Sequence, residues 1–346
     1  MKKLFITLAI LFAAFSGLSS YANETKIEVV PTMKSESTAP NRIWVGTFQI
    51  VWNEFMENII KGPINFVGTK SQMAQDLNRK DFKKSDISDN AYYTKYGLMT
   101  PETRTEIEKA LLKKFNEKSD ILHLFNWAKN STDVIIYAML KKDFKFLEAF
   151  DKLTPQAFGK NSKVAVDYFG INEDSDAKLY KNIEVMFYNS TEDFAVKLFT
   201  KDNDVVMLYR TNDDKTFDKY YSDMRRKSQF YFKNRNFTKE DRLKVPNINL
   251  YQKTSFPELE GHPIKGSDYI IGETIETIDF KMDNEGVKLK SEAAIIARCA
   301  LLPPSRGRNF MFTNNFVLFL AEKGKRTPYY AMKISDVDTI NKTGKK

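Results

Sequence analysis

One cysteine, Cys299, is all the chain carries, so no intrachain disulfide can form. A domain of this length buries roughly 75% of its unfolded surface and needs no such staple. Histidine is almost as scarce. His123 and His262 stand far apart, neither with a second histidine at helical spacing, which argues against a zinc site. There is no Gly-x-Ser-x-Gly elbow, no phosphate-cradling glycine loop and no dinucleotide fingerprint. Cys299 paired with His262 as nucleophile and base is outweighed by the plainer reading of a lone thiol packed beside Ala300 and Leu301. These absences point away from an enzyme and imply no cofactor and no metal. After the N-terminus no run is apolar for about 18 residues, so no membrane span is expected.

What is present begins with an export pattern. Lys2 and Lys3 precede an apolar run over 4–15, and Ser20 and Ala22 supply the small residues that a signal peptidase reads. Residues 1–22 read as a cleavable signal, with the mature chain starting at Asn23 and destined for the periplasm or the medium. The short Lys-Lys start suits a bacterial source. Residues 23–40 are polar and read as a flexible leader, and 41–346 as one domain. The net charge of +9 suits anionic surfaces or polyanions, although a solvated lysine-rich surface explains it as simply. The basic runs Lys113-Lys114 and Arg225-Arg226-Lys227 fall on expected helices, read as solvated faces, and imply no nucleic acid. A monomer is expected.

Periodicity then separates two textures. Residues 41–45 suggest a strand. Phe48, Val51, Trp52, Phe55, Ile59 and Ile60 recur at helical spacing, with Thr47 as the expected cap and Lys61-Gly62-Pro63 as the stop. Thr100-Pro101-Glu102 opens another helix, with Ile107, Leu111 and Phe115 as its stripe. From residue 133 the pattern turns strand-like. The run 133–140 reads as a strand buried on both faces. Further strands are expected over 163–169, 183–188, 194–200, 205–210, 230–232, 243–251, 275–282, 310–312, 316–321 and 329–334, with a helix over 215–226 between them. Helices first and strands last predict an α+β fold with a large mixed sheet.

The segment between the strands expected over 275–282 and 310–312 is the most informative. It runs from Asp283-Asn284-Glu285-Gly286 through the small and β-prone side chains of 291–302 to the break at Pro303-Pro304-Ser305-Arg306-Gly307. A connection longer than about 20 residues in a compact domain is uncommon and usually functional. One made of small apolar residues is able to become a strand itself.

Here the chain resembles the serpin family. Glu285-Gly286, followed after a few extra residues by Ser291-Glu292-Ala293-Ala294, is similar to that family's hinge. Phe310 to Phe312, Phe316 to Leu320 and Tyr330 to Ile334 are similar to its closing strands. Upstream, 132–138, 142–151 and Val245-Pro246-Asn247-Ile248 match further family stretches in the same order. The chain departs from the pattern at Tyr137, at Lys288-Leu289-Lys290, at Asn315 and at Met332. The resemblance implies a secreted, suicidal inhibitor of a serine or cysteine protease. The protease would cut an exposed loop, stay bound as an acyl-enzyme, and be carried off as the hinge enters the sheet as a new strand. Hinge residues would be Glu285, Gly286, Ser291, Glu292, Ala293 and Ala294. The scissile region would hold Arg298 or Arg306 for a trypsin-like enzyme, Leu301 or Leu302 for a chymotrypsin-like one, or Ser305 by position along the loop. Lys288 and Lys290 share one face, and turned inward they would bury two ammonium groups. A non-inhibitory protein of the same fold, serving binding or structure, therefore stands as the alternative, with an unrelated exported α+β binding protein behind it.

Overall fold

A computed structural model describes residues 27–159, 162, 164–288 and 307–342. The first strands, β1 (Ile27–Val29) and β2 (Asn41–Val45), lead into α1 (Gly46–Glu54), whose last turns widen into a π-helical stretch over Phe55–Ile60. Next come α2 (Gln72–Leu77), β3 (Tyr92–Leu98) and α3 (Pro101–Phe115). Seven strands follow: β4 (Val134–Leu140), β5 (Asp143–Lys145), β6 (Asp151–Ala157), β7 (Ala165–Ile171), β8 (Ile183–Ser190), β9 (Asp193–Phe199) and β10 (Asp204–Arg210). After α4 (Phe217–Gln229) the chain returns as β11 (Arg242–Pro246), β12 (Ile248–Thr254), β13 (Glu276–Met282), β14 (Gly286–Lys288), β15 (Asn309–Met311), β16 (Phe316–Glu322) and β17 (Tyr330–Ile334), and then α5 (Val337–Lys342).

The α+β class with a large mixed sheet holds. A seven-stranded sheet runs β1-β2-β17-β16-β10-β9-β8, with β1 parallel to β2 and the other neighbours antiparallel. A second sheet has the order β15-β11-β7-β6, a third β12-β13-β14-β5, and β3 pairs with β4. Every residue of β10 and β16 is buried, which is why 205–209 and 316–321 read as unbroken apolar runs. Pro155 sits on the edge strand β6, where a missing N–H costs no ladder bond and the register slips between Leu153 and Gln156.

Helix α1 is buried nearly all round, with Phe48, Ile50 and Trp52 in the main core. Its polar residues are satisfied inside: the Gln49 amide donates to Asn53 Oδ1 at 3.0 Å and to the Leu77 carbonyl at 2.8 Å. The helix starts earlier than expected, from Val45 with no side-chain cap, because Gly46 is pressed against the Phe82 ring where a Cβ would not fit. It ends as expected at Lys61, which adopts the left-handed conformation at φ 62°. Thr100 caps α3 as predicted, its Oγ1 accepting from the Thr103 N–H.

Four expectations change. Residues 27–29 of the expected leader form β1, with Val30 and Met33 buried behind it, since Ile27 and Val29 reach the core. Residues 230–232 follow α4 without forming a strand. The run 243–251 is two strands, β11 and β12, which join different sheets across Asn247. Strand β4 is not buried on both faces. Ile135 and Tyr137 pack under α3 with Ile107, Leu111 and Leu122, while Ile136, Ala138 and Leu140 on its other face are only half-buried against the main core.

Between β4 and β5 the chain is tied to the large sheet by a buried ionic group. The Lys142 ammonium meets Asp204 at 2.9 Å and also Glu322, and it lies 5.1 Å from the centre of the Tyr329 ring. Tyr329 donates to Asp204 Oδ1 at 2.9 Å, and Ser88 donates its N–H and hydroxyl to Glu322. Burial lifts the Asp204 carboxyl above its usual range despite Lys142. For Glu322 burial works the same way, but the Lys142 and Ser88 hydrogen bonds win and hold it below. Lys142→Ala leaves two buried carboxylates facing each other, so urea unfolding should show a loss of about 3 kcal/mol, against under about 1 kcal/mol for an exposed control such as Lys239→Ala.

Candidate functional site

The turn that closes β13 builds the site. Asp283-Asn284-Glu285 reverses the chain, and β14 comes back antiparallel between β13 and β5. Val287 pairs with Met282 on one side and Phe144 on the other and is fully buried. The turn is held from below. The Phe146 N–H donates to the Glu285 carbonyl at 2.9 Å, the Phe150 N–H to the Asn284 carbonyl at 2.8 Å, and the Asn284 amide to the Phe150 carbonyl at 3.2 Å. Gly286 is required by space: a Cβ there would fall 2.2 Å from the Phe144 carbonyl oxygen.

Below this wedge the two strands part and leave a cleft of about 960 Å³. One wall is β4, the other is β13 with 268–275, and the floor is α1 through Phe48, Val51, Trp52 and Phe55. Among the described residues β4 pairs only with β3, and β13 meets β14 only at Lys281 and Met282. Among the described residues no strand pairs with the facing edges of β4 and of β13 from Glu276 to Phe280. The described residues leave a strand-wide gap there, and β14 occupies its upper end.

One acid lies beside it. Glu276 is buried, lines the cleft, and has an Oε1 with no hydrogen-bond partner. Burial pushes its carboxyl up to about 8, opposed by a hydrogen bond from the Phe48 backbone.

Of the residues singled out from sequence, Glu285 and Gly286 are brought into this turn and wedge. Ser291, Glu292, Ala293, Ala294, Arg298, Leu301, Leu302, Ser305 and Arg306 lie outside the described residues, as does the signal over 1–22. Val287, Phe144 and Glu276 were missed. The spacing of Gly286 and Val287 after a strand was the available signal for the wedge. Nothing local marks Glu276, because its burial comes from α1, more than two hundred residues earlier in the chain. No group of three or more possible metal ligands occurs among the described residues.

No protein-family model matches the chain, and no curated protein matches it. Solved structures do. Serpin48 of the insect Tenebrio molitor is 13% identical over 84% of this chain and 96% of its own, with a TM-score of 0.46. Serpins are what the chain resembles. Human thyroxine-binding globulin complexed with its hormone is 9% identical over 83% of this chain and 95% of its own, at 0.45. Human kallistatin is 12% identical over 84% and 96%, at 0.44. At such identities and scores the serpin likeness is one of outline, and function has to rest on the chain's own wedge and cleft.

A raised carboxyl has a definite sign in stability. The folded state holds the Glu276 proton between the ordinary carboxylate range and about pH 8, so stability falls as pH rises through that window. Glu276→Gln should remove that fall. The variant should exceed the parent by on the order of 3 kcal/mol at pH 9 and match it at pH 5, as read from urea unfolding at both values. Equal gains at the two pH values would remove Glu276 as the cause.

Proposed function

We propose that the chain is an exported, serpin-like inhibitor of a serine or cysteine protease, acting by loop cleavage, covalent trapping and strand insertion. The observation that supports this is β14, seated between β13 and β5 at the head of a gap that no described strand fills. Attack of the protease nucleophile on a loop carbonyl breaks the peptide bond, releases the new amine end, and leaves the enzyme esterified to the hinge side. The freed hinge then has beside it two strand edges with which no described strand pairs. A new strand of about eight residues gains on the order of ten main-chain hydrogen bonds, each worth a net of about 1 kcal/mol, together with buried side chains. The protease is dragged along and distorted before water can release it.

The register of the wedge bears on the lysines at positions 288 and 290. Val287 stands opposite Met282 and position 288 opposite Lys281. Continued down β13, the same register sets Leu289 opposite Phe280, Ser291 opposite Ile278 and Ala293 opposite Glu276, the buried positions of that strand. Paired residues share a face, so Leu289, Ser291 and Ala293 would enter the core while positions 288, 290 and 292 turn outward. Position 290 would then face Asp279 and position 288 would lie beside Asp143, in register with β5. Insertion in this register keeps both ammonium groups off the α1 side of the sheet. The small inward residues fit the narrow gap, and the charged Glu292 falls outside.

Mixing the purified protein with trypsin-, chymotrypsin- and papain-like proteases should give an SDS-stable complex with at least one of them. Ala293→Glu would set a carboxyl against Glu276 and should cut the trapped fraction by at least about tenfold, turning inhibitor into substrate. Glu292→Lys, on the outward face, should trap as the parent does. Cleavage by every protease without a covalent complex would favour the non-inhibitory binding protein instead. Equal loss from both substitutions would overturn the register.

A further inference from the structure

Outside the cleft, the most unusual surface follows α4. Phe230 is 65% exposed and Phe232 89%, although phenylalanine is among the residues most often fully buried. They are not a frayed end. Tyr231 between them is buried, and the segment is clamped from two sides. The Arg235 guanidinium donates to the carbonyls of Tyr231 and Met186, each at 3.0 Å, to Ser228 Oγ at 3.1 Å, and to the Ser228 carbonyl. Arg308 donates to the carbonyls of Asn234 at 2.7 Å and Asn236 at 2.6 Å and is itself anchored on Asp241. Two rings are thus presented to solvent on a fixed backbone.

Within the segment itself the charge has one sign. Arg225, Arg226, Lys227, Lys233, Arg235 and Lys239 fall between 225 and 239, and that stretch contains no acidic residue. Arg225, Arg226, Lys233 and Lys239 are exposed. The acids nearby are each engaged by a cation: Asp223 binds Arg226, Lys227 and Lys215, Asp193 meets Lys227 at 2.8 Å, Glu184 lies 3.9 Å from Arg235, and Glu240 lies 3.9 Å from Lys239. A solvated basic face explains the cations alone. It does not explain two rigidly exposed rings among them.

We infer that the segment from Arg225 to Lys239 is a membrane-surface anchor, with Phe230 and Phe232 entering the headgroup boundary of a bilayer rich in anionic lipid and the surrounding cations meeting its charge. Aromatic rings suit the boundary between headgroup and acyl chain, and basic side chains near an anionic leaflet add attraction that salt screens. A carbohydrate polyanion would meet the cations and leave the rings in water. The bilayer is the partner that uses both features. Such an anchor lies on the surface and differs from a membrane span, for which no helix among the described residues is long and apolar enough. The inference is independent of the protease reading.

Flotation of the full chain with vesicles tests it. The protein should float with phosphatidylcholine mixed with phosphatidylglycerol and stay down with phosphatidylcholine alone. The double variant Phe230→Ser/Phe232→Ser should bind the mixed vesicles at least about tenfold more weakly while its thermal unfolding stays that of the parent, because both rings are outside the core. Arg225→Gln/Lys233→Gln should also weaken binding and flatten its salt dependence. A parent that does not float with the mixed vesicles, or floats equally with both kinds, would overturn the proposal. So would a serine pair that floats as well as the parent, since the cations alone would then suffice, as for a polyanion.

Discussion

Every polar backbone group at a half-buried strand edge needs a partner, and at the gap between β4 and β13 no strand among the described residues pairs with two such edges. An open edge is usually a liability, covered or charged to prevent pairing with another chain. Here the upper end is closed by the chain's own β14, held by the Phe144 to Phe150 segment and by a glycine that nothing larger can replace. The lower end is floored by α1 and walled by half-buried Ile136, Ala138 and Leu140. The rest of the molecule serves to hold those walls apart. The large sheet supports α1, and α3 covers β4 from outside.

Two buried charge arrangements bear on the same gap. Lys142, at the junction of β4 and β5, ties the wall beside the wedge to β10 and β16 through Asp204 and Glu322. Glu276, at the other end, is a carboxyl with an unsatisfied oxygen near where an entering side chain would settle. Neither is explained by stability alone, since well-packed apolar residues would do as well or better. Lys142 fixes where the upper wall stands. Glu276 places a buried carboxyl in the lower cleft, where a second acid would be costly to bury.

Much of this was legible in the sequence because it is local. The helix cap at Thr100, the stop at Lys61 and the strands that became β10, β16 and β17 follow from nearest-neighbour chemistry and period. The turn at Glu285-Gly286 was visible as the end of a strand. What was not legible depended on partners distant in the chain. The run at 134–140 looked fully buried because its composition is apolar, whereas its inner face waits beside a cleft. The break at Asn247 is a choice between two sheets, and the exposure of Phe230 and Phe232 is set by Arg235 and Arg308. The sign of the two-lysine problem turned on a register that only the pairing of Val287 with Met282 supplies.

The central claim of the proposal is that a new strand fills the gap between β4 and β13 once the connection between β14 and β15 is cut. Thermal unfolding of the intact protein and of the same protein nicked in that connection, followed by circular dichroism, tests this most directly. Filling the position adds on the order of ten hydrogen-bonded pairs, so the nicked protein should melt more than about 15 °C above the intact one. A nicked protein that melts at the same temperature or lower would mean that the position stays empty, and the account would be wrong.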